Sequence, residues 1–112
     1  MNADALYTLE TVREAIRRGD AVYVQTAIDA GFDPNTQDSK QCTPLIFAAE
    51  FQNPAIVELL LTHGANAAHK ESNGYDASGV AAWHGEYRMG ACTEESKEIQ
   101  AILKTHIESQ DS

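Results

Sequence analysis

The chain has 112 residues, 43% of them hydrophobic and 22% charged, which fits one small globular domain and is far from the composition of a disordered segment. Seventeen acidic against eight basic side chains leave a net charge of −9 and a pI near 4.7, the wrong sign for nucleic acid or an anionic membrane as principal partner. The start, Met1-Asn2-Ala3-Asp4, lacks the basic and apolar stretches of a signal peptide, no apolar run reaches membrane-span length, and Cys42 and Cys92 are too sparse for a disulfide framework. The expectation is a cytoplasmic chain with reduced thiols.

Taken in chain order, Leu6, Leu9, Val12 and Ile16 recur at helical spacing, with Asp4 as expected N-cap and Arg17 and Arg18 in the last turn before Gly19. Asp20 caps a second helix that ends at Gly31, followed by the loop Asp33-Pro34-Asn35. Thr43-Pro44 opens a third helix, with Thr43 as the side-chain cap and Leu45, Ala48 and Ala49 on its packed face. Asn53-Pro54 opens a fourth, whose apolar stripe of Ile56, Val57, Leu59, Leu60 and Leu61 stops at Gly64. Asp76 caps a helix of small residues that halts at Gly85, and a last helix starts at Thr93 and runs through Ile99, Ile102, Leu103 and Ile107.

These elements repeat. A shift of 33 residues places Val24 on Val57, Gly31 on Gly64, Ala15 on Ala48, and Ala48-Ala49 on Ala81-Ala82. Beyond that the register changes: Ile56 and Leu59-Leu60 match Ile99 and Ile102-Leu103 at an offset of 43, which implies a ten-residue insertion within 86–96. The expected units are therefore about 5–37, 38–70 and 71–108, followed by a polar tail over 109–112.

Thr43-Pro44-Leu45-Ile46-Phe47-Ala48-Ala49 and Ile56-Val57-Glu58-Leu59-Leu60-Leu61-Thr62-His63-Gly64-Ala65-Asn66 resemble the ankyrin repeat nearly position by position, with the same 33-residue period. The resemblance extends from about Leu9 to Ile107. It implies an all-α solenoid of stacked helix pairs, a single domain over 1–112, and non-enzymatic protein binding through the loop tips and inner helices. Departures are Glu10-Thr11 in the first unit and Asp76-Ala77-Ser78-Gly79 in the third where Thr-Pro is usual, so the third inner helix is weakly specified.

Carried onto this chain, the usual contact positions imply Tyr7, Arg17 and Arg18 in the first unit and Ser39, Lys40, Cys42, Glu50 and Phe51 in the second. In the third they imply Ser72, Asn73, Tyr75, Trp83 and His84, to which the insertion adds Tyr87, Arg88 and Met89. Phe51, Tyr75 and Trp83 stand where the fold does not need an apolar side chain, as in binding hot spots. Trp83 reads equally as a contact residue or as an anchor for the apolar run 87–92. The acidic balance implies a partner with a basic surface, and the job is to mask, inhibit or stabilise that partner, as an immunity protein does for a basic toxin. The chain is expected to be a monomer or weak dimer; an apolar pairing through 87–92 is the scaffold alternative.

Enzyme chemistry has little support. Of His63, His69, His84 and His106, His63 stands just before Gly64 where a basic side chain suits a helix end, His69 in the following loop and His84 at a variable inner-helix position, and no cofactor or metal is expected. Cys92 with His84 is a nucleophile–base pair without a third, orienting group. Asp29, Asp33 and Asp38 lack the glutamate that closes a calcium loop and read as solvated surface.

Overall fold

A computed structural model describes residues 7–83 and 94–110. Among them are six helices and no strand: α1 (Leu9–Arg18), α2 (Ala21–Asp29), α3 (Pro44–Glu50), α4 (Pro54–Thr62), α5 (Ala77–Trp83) and α6 (Glu94–Gln110). They pack as three pairs, α1 with α2, α3 with α4, and α5 with α6. Between pairs, α1, α3 and α5 form one continuous row, and α2, α4 and α6 the other. The fold is the all-α helical solenoid expected.

The 33-residue periodicity survives at atomic level. Ala15, Ala48 and Ala81, one from each unit, are all fully buried where neighbouring inner helices approach, a spacing that larger side chains would widen. Val24 and Val57 do the same for the outer row. In α6, Ile99 and Leu103 are buried as Ile56 and Leu60 are in α4, matching the changed register. Of the insertion expected within 86–96, only Glu94, Glu95 and Ser96 are described, and they form the start of α6.

Helix starts follow the sequence with two corrections. The first helix is capped by Thr8 rather than Asp4, which like Leu6 lies outside the described residues: Thr11 N–H donates to Thr8 Oγ1 at 3.2 Å, and Thr8 N–H donates to Thr11 Oγ1 at 3.0 Å. Thr43 occupies the N-cap position of α3 but makes no side-chain cap; it is buried, and only its carbonyl takes part, accepting from Phe47 N–H. Asp20, Asn53 and Asp76 cap as expected, accepting from Tyr23, Ile56 and Gly79 N–H at 3.0, 3.1 and 2.8 Å. The expected helix boundaries at Gly85 and Thr93 lie outside the described residues.

The loop tips repeat as faithfully as the helices. Asp38 N–H donates to Cys42 O at 3.0 Å, and 33 residues later Glu71 N–H donates to Tyr75 O at 3.0 Å. In the same register, one carboxylate oxygen of Asp38 accepts from Lys40 and Cys42 N–H, and one of Glu71 from Asn73 and Tyr75 N–H. Ser72 N–H donates to Lys40 O at 2.9 Å, tying the two tips together. Asn35 ties the next layer of loops, donating to Gly64 O and accepting from Asn66 N–H.

Candidate functional site

Two tips and two inner helices enclose a groove of about 350 Å³ lined by Lys40, Cys42, Ile46, Glu50, Glu71, Asn73, Tyr75, Val80 and Trp83. Ile46 of α3 and Val80 of α5 belong to the buried core and supply the apolar floor. Tyr75 and Trp83 leave 47% and 43% of their surface exposed, and with Val22 they are the large apolar side chains most exposed among the described residues. An aromatic pair kept half in water at the mouth of an apolar depression is the surface on which binding energy concentrates.

Charge in the groove is mainly negative. Glu71 is fixed by the tip: Oε1 accepts from Asn73 N–H at 2.8 Å and from Tyr75 N–H at 3.0 Å, and Oε2 from Asn73 Nδ2 at 3.3 Å. Glu50 makes no hydrogen bond or ion pair in the described structure, and Lys40 pairs with neither carboxylate. Burial, reinforced by Asp38, Glu71 and Glu50 and opposed by Lys40, pushes the Cys42 thiol up to about 11. A thiol held protonated in this way is a poor nucleophile at neutral pH.

The groove thus brings together Lys40, Cys42, Glu50, Asn73, Tyr75 and Trp83 of the contact residues inferred from sequence. Others lie apart from its lining. Ser39 and Ser72 sit in the tips, Ser72 engaged through its backbone. Arg17 and Arg18 end α1, where the guanidinium of Arg17 is paired with Glu14 and holds that carboxyl below its ordinary range. Tyr7 lies edge-on to Tyr23, with ring centroids 5.7 Å apart. His84, Tyr87, Arg88 and Met89, like Cys92 and the run 87–92, lie outside the described residues.

Phe51 has a structural environment that its sequence position did not announce. It is half-buried against the core, and the Arg13 guanidinium stands 5.5 Å from its ring centroid and 5.4 Å from that of Phe47. Arg13 therefore spans two aromatic faces of the neighbouring unit, an interaction that helical periodicity does not reveal.

Asp33 and Asp38 are also more than solvated surface. Asp33 accepts from Asn35 N–H at 2.8 Å, and Asp38 from Lys40 and Cys42 N–H at 2.8 and 2.9 Å. Glu71, Ile46 and Val80 were absent from the sequence-derived set. Glu71 was detectable, because it is the acidic residue 33 positions after Asp38, but the two floor residues read simply as core. No group of three or more metal-ligating side chains occurs among the described residues. A second, larger and more open depression of about 670 Å³ lies between α4 and α6, lined by Glu58, Leu61, Thr62, Ala101, Ile102, Thr105 and His106. It carries none of the exposed large aromatics and has only one carboxylate in its lining.

Comparison with known proteins agrees with this architecture. A family profile described as ankyrin repeats, in three copies, matches residues 12–108. Among similar curated proteins is the ankyrin repeat, SAM and basic leucine zipper domain-containing protein 1 of Atelerix albiventris, 39% identical over 59 residues. Its counterpart in Eulemur macaco macaco is 37% identical over the same length; in each case the match covers 53% of this chain and 12% of the relative. The 2-5A-dependent ribonuclease of Mus musculus is 39% identical over 62 residues, which are 54% of this chain and 8% of that protein. The chain belongs to the ankyrin-repeat family, whose helical repeats serve as protein-interaction modules.

Proposed function

We propose that this ankyrin-repeat chain binds one protein partner across the groove between its second and third units, and acts by occupancy: it masks, inhibits or stabilises the partner without chemistry of its own. The observation that carries this reading is the convergence of Tyr75 and Trp83, half exposed, over an apolar floor from two adjacent inner helices. A family built for protein interaction, with the exposed aromatics gathered at one inter-unit groove, supports a contact surface there rather than around the rim of α1. The loop residues Ser39 and Ser72 extend that surface along the tips, and the net charge of −9 favours a partner with a basic face. The protein is monomeric or weakly dimeric and works in the cytoplasm, where both thiols stay reduced.

The test is capture of partners by the full chain beside a Tyr75→Ala/Trp83→Ala variant, with circular dichroism melts to establish that both are folded. One protein retained by the wild type, lost by the folded variant and released as salt is raised is the expected result. Equal retention by both chains would remove the groove from the reading, and retention unaffected by salt would remove the basic partner.

A further inference from the structure

The chemistry of the groove narrows its occupant further than "a basic protein". Its lining is layered: buried Ile46 and Val80 at the floor, flat aromatic rings of Tyr75 and Trp83, and the carboxylates of Glu50 and Glu71. A volume of about 350 Å³ lies at the small end for ligand pockets, suited to a side chain rather than a docked helix. We propose that the groove receives an arginine side chain presented by an extended segment of the partner, a specification that rests on the docking reading above.

Each layer matches one part of that side chain. The methylene stem covers the apolar floor, as long cationic side chains do when they bury their stem and keep the charged head at the rim. The guanidinium plane stacks on an aromatic face, which a compact ammonium does less well. Its several N–H donors meet two carboxylates held on the same lining, and charge-assisted bonds of this kind are the strong ones. Glu71 is preorganised for the task, since the tip amides already fix its orientation through Oε1, while Oε2, which accepts only from Asn73 Nδ2, retains room for a further donor. Glu50 has no competing partner in the described structure. Lys40 is the sole cation among the lining residues and faces two carboxylates there, with Asp38 directly beside Cys42, so an acidic occupant meets net repulsion. The upward shift of the Cys42 thiol, caused first by burial, is reinforced by the carboxylates of Asp38, Glu71 and Glu50.

The experiment uses the full chain labelled with nitrogen-15 and three capped pentapeptides, each with four alanines around a central arginine, lysine or norleucine. Backbone amides of Cys42, Asn73 and Tyr75 and the indole N–H of Trp83, the chain's one tryptophan, report occupancy. The arginine peptide is expected to move these signals with an affinity on the order of millimolar, the lysine peptide more weakly, and the norleucine peptide about tenfold more weakly than arginine. Glu50→Gln and Glu71→Gln should each weaken the arginine peptide several-fold and leave the norleucine peptide unchanged. The amide side chain in Glu71→Gln keeps an oxygen for the tip amides, and Glu50 has no structural bond to lose. Equal response to arginine and norleucine, or a lysine peptide as good as arginine, overturns the arginine assignment and leaves docking standing. Silence of the groove towards all three peptides overturns the docking reading as well.

Discussion

Gln41 and Gln52 offer a matched pair of perturbations with opposite expected signs. Both have left-handed backbone, φ 64° and 57°, where a side chain is disfavoured. The repeat shows what each position prefers: Gln41 corresponds to Gly74, φ 88°, and Gln52 to Gly19, φ 76°. The left-handed conformation costs a non-glycine residue about 1–2 kcal/mol, and glycine gives back about 0.5–1 kcal/mol through its freer unfolded state. Gln41 has an exposed side chain without a hydrogen bond in the described structure, so Gln41→Gly should stabilise the fold by about 0.5 kcal/mol. Gln52 is different. Its Nε2 donates to Ala49 O at 2.9 Å and to Ala81 O at 3.2 Å, joining the end of α3 to α5 in the next unit. Losing both bonds, each worth about 0.5–1.5 kcal/mol, outweighs the relief, so Gln52→Gly should destabilise by about 0.5–2 kcal/mol. Urea melts of the two variants and wild type, with Gln41→Ala as a near-neutral control, measure the difference. A destabilised Gln41→Gly, or two glycine variants of equal stability, would refute the reasoning.

Four further outcomes follow from packing and charge. Leu60 is fully buried in α4, between α2 and α6, and Leu60→Ala should cost about 2–5 kcal/mol in a denaturant melt. Ser96 is buried and its Oγ donates to Ala81 O at 2.8 Å, so Ser96→Ala should cost about 1–3 kcal/mol, read most directly as early loss of α6 amide protection in hydrogen exchange. Phe51→Ala should cost about 1–2 kcal/mol, less than a fully buried phenylalanine but more than a free surface residue, because the ring packs on the core and under Arg13. The Cys42 thiol is raised in the folded chain from 9.0 to about 11, so its contribution is complete below pH 9 and is lost as pH climbs towards 11. Wild type should accordingly lose stability over that window faster than Cys42→Ala, in melts taken at successive pH values.

The fold was legible because its information is periodic. Apolar spacing marks four of the six helices, capping aspartates and the repeat mark α2 and α5, and the 33-residue shift aligns Ala15, Ala48 and Ala81, which share full burial. The changed offset to Ile99 and Leu103 was legible for the same reason. What escaped was chemistry that periodicity does not encode. Whether Thr43 caps with its hydroxyl depends on a rotamer and on what buries it. The Arg13 stack over Phe47 and Phe51 joins two units whose spacing is irrelevant to it. The site was partly legible: the resemblance placed Lys40, Cys42, Glu50, Asn73, Tyr75 and Trp83 at variable positions, and they share one lining. It missed Ile46 and Val80, because a residue that closes the core from inside and floors a groove from outside has only one sequence signature, that of core.

The groove lies over the joint of the array whose inner helix the sequence specifies least. The third inner helix, α5, is short and built largely of small residues; Ala77, Val80 and Ala81 are buried, and side-chain hydrogen bonds add to its packing against α3 and α6. They converge on one acceptor: Ala81 O receives Gln52 Nε2 from the second unit and Ser96 Oγ from α6. In a linear array, stability is carried by interfaces between neighbours, so this junction governs whether the third unit stays docked. Val80 and Trp83, one on either side of Ala81 along the same helix, line the groove opposite Ile46 and Glu50 of α3. An occupant that touches both helices therefore adds contacts to the very interface that sequence specifies least, and binding and docking of the third unit are thermodynamically linked. Ser96→Ala separates the two effects, since Ser96 lies outside the groove lining yet supports α5. If the linkage holds, that substitution lowers peptide affinity in proportion to the population of undocked third unit, and affinity recovers on cooling towards the temperature of maximum stability. Unchanged affinity in a Ser96→Ala chain whose α6 amides exchange early would show that the groove forms without the docked third unit.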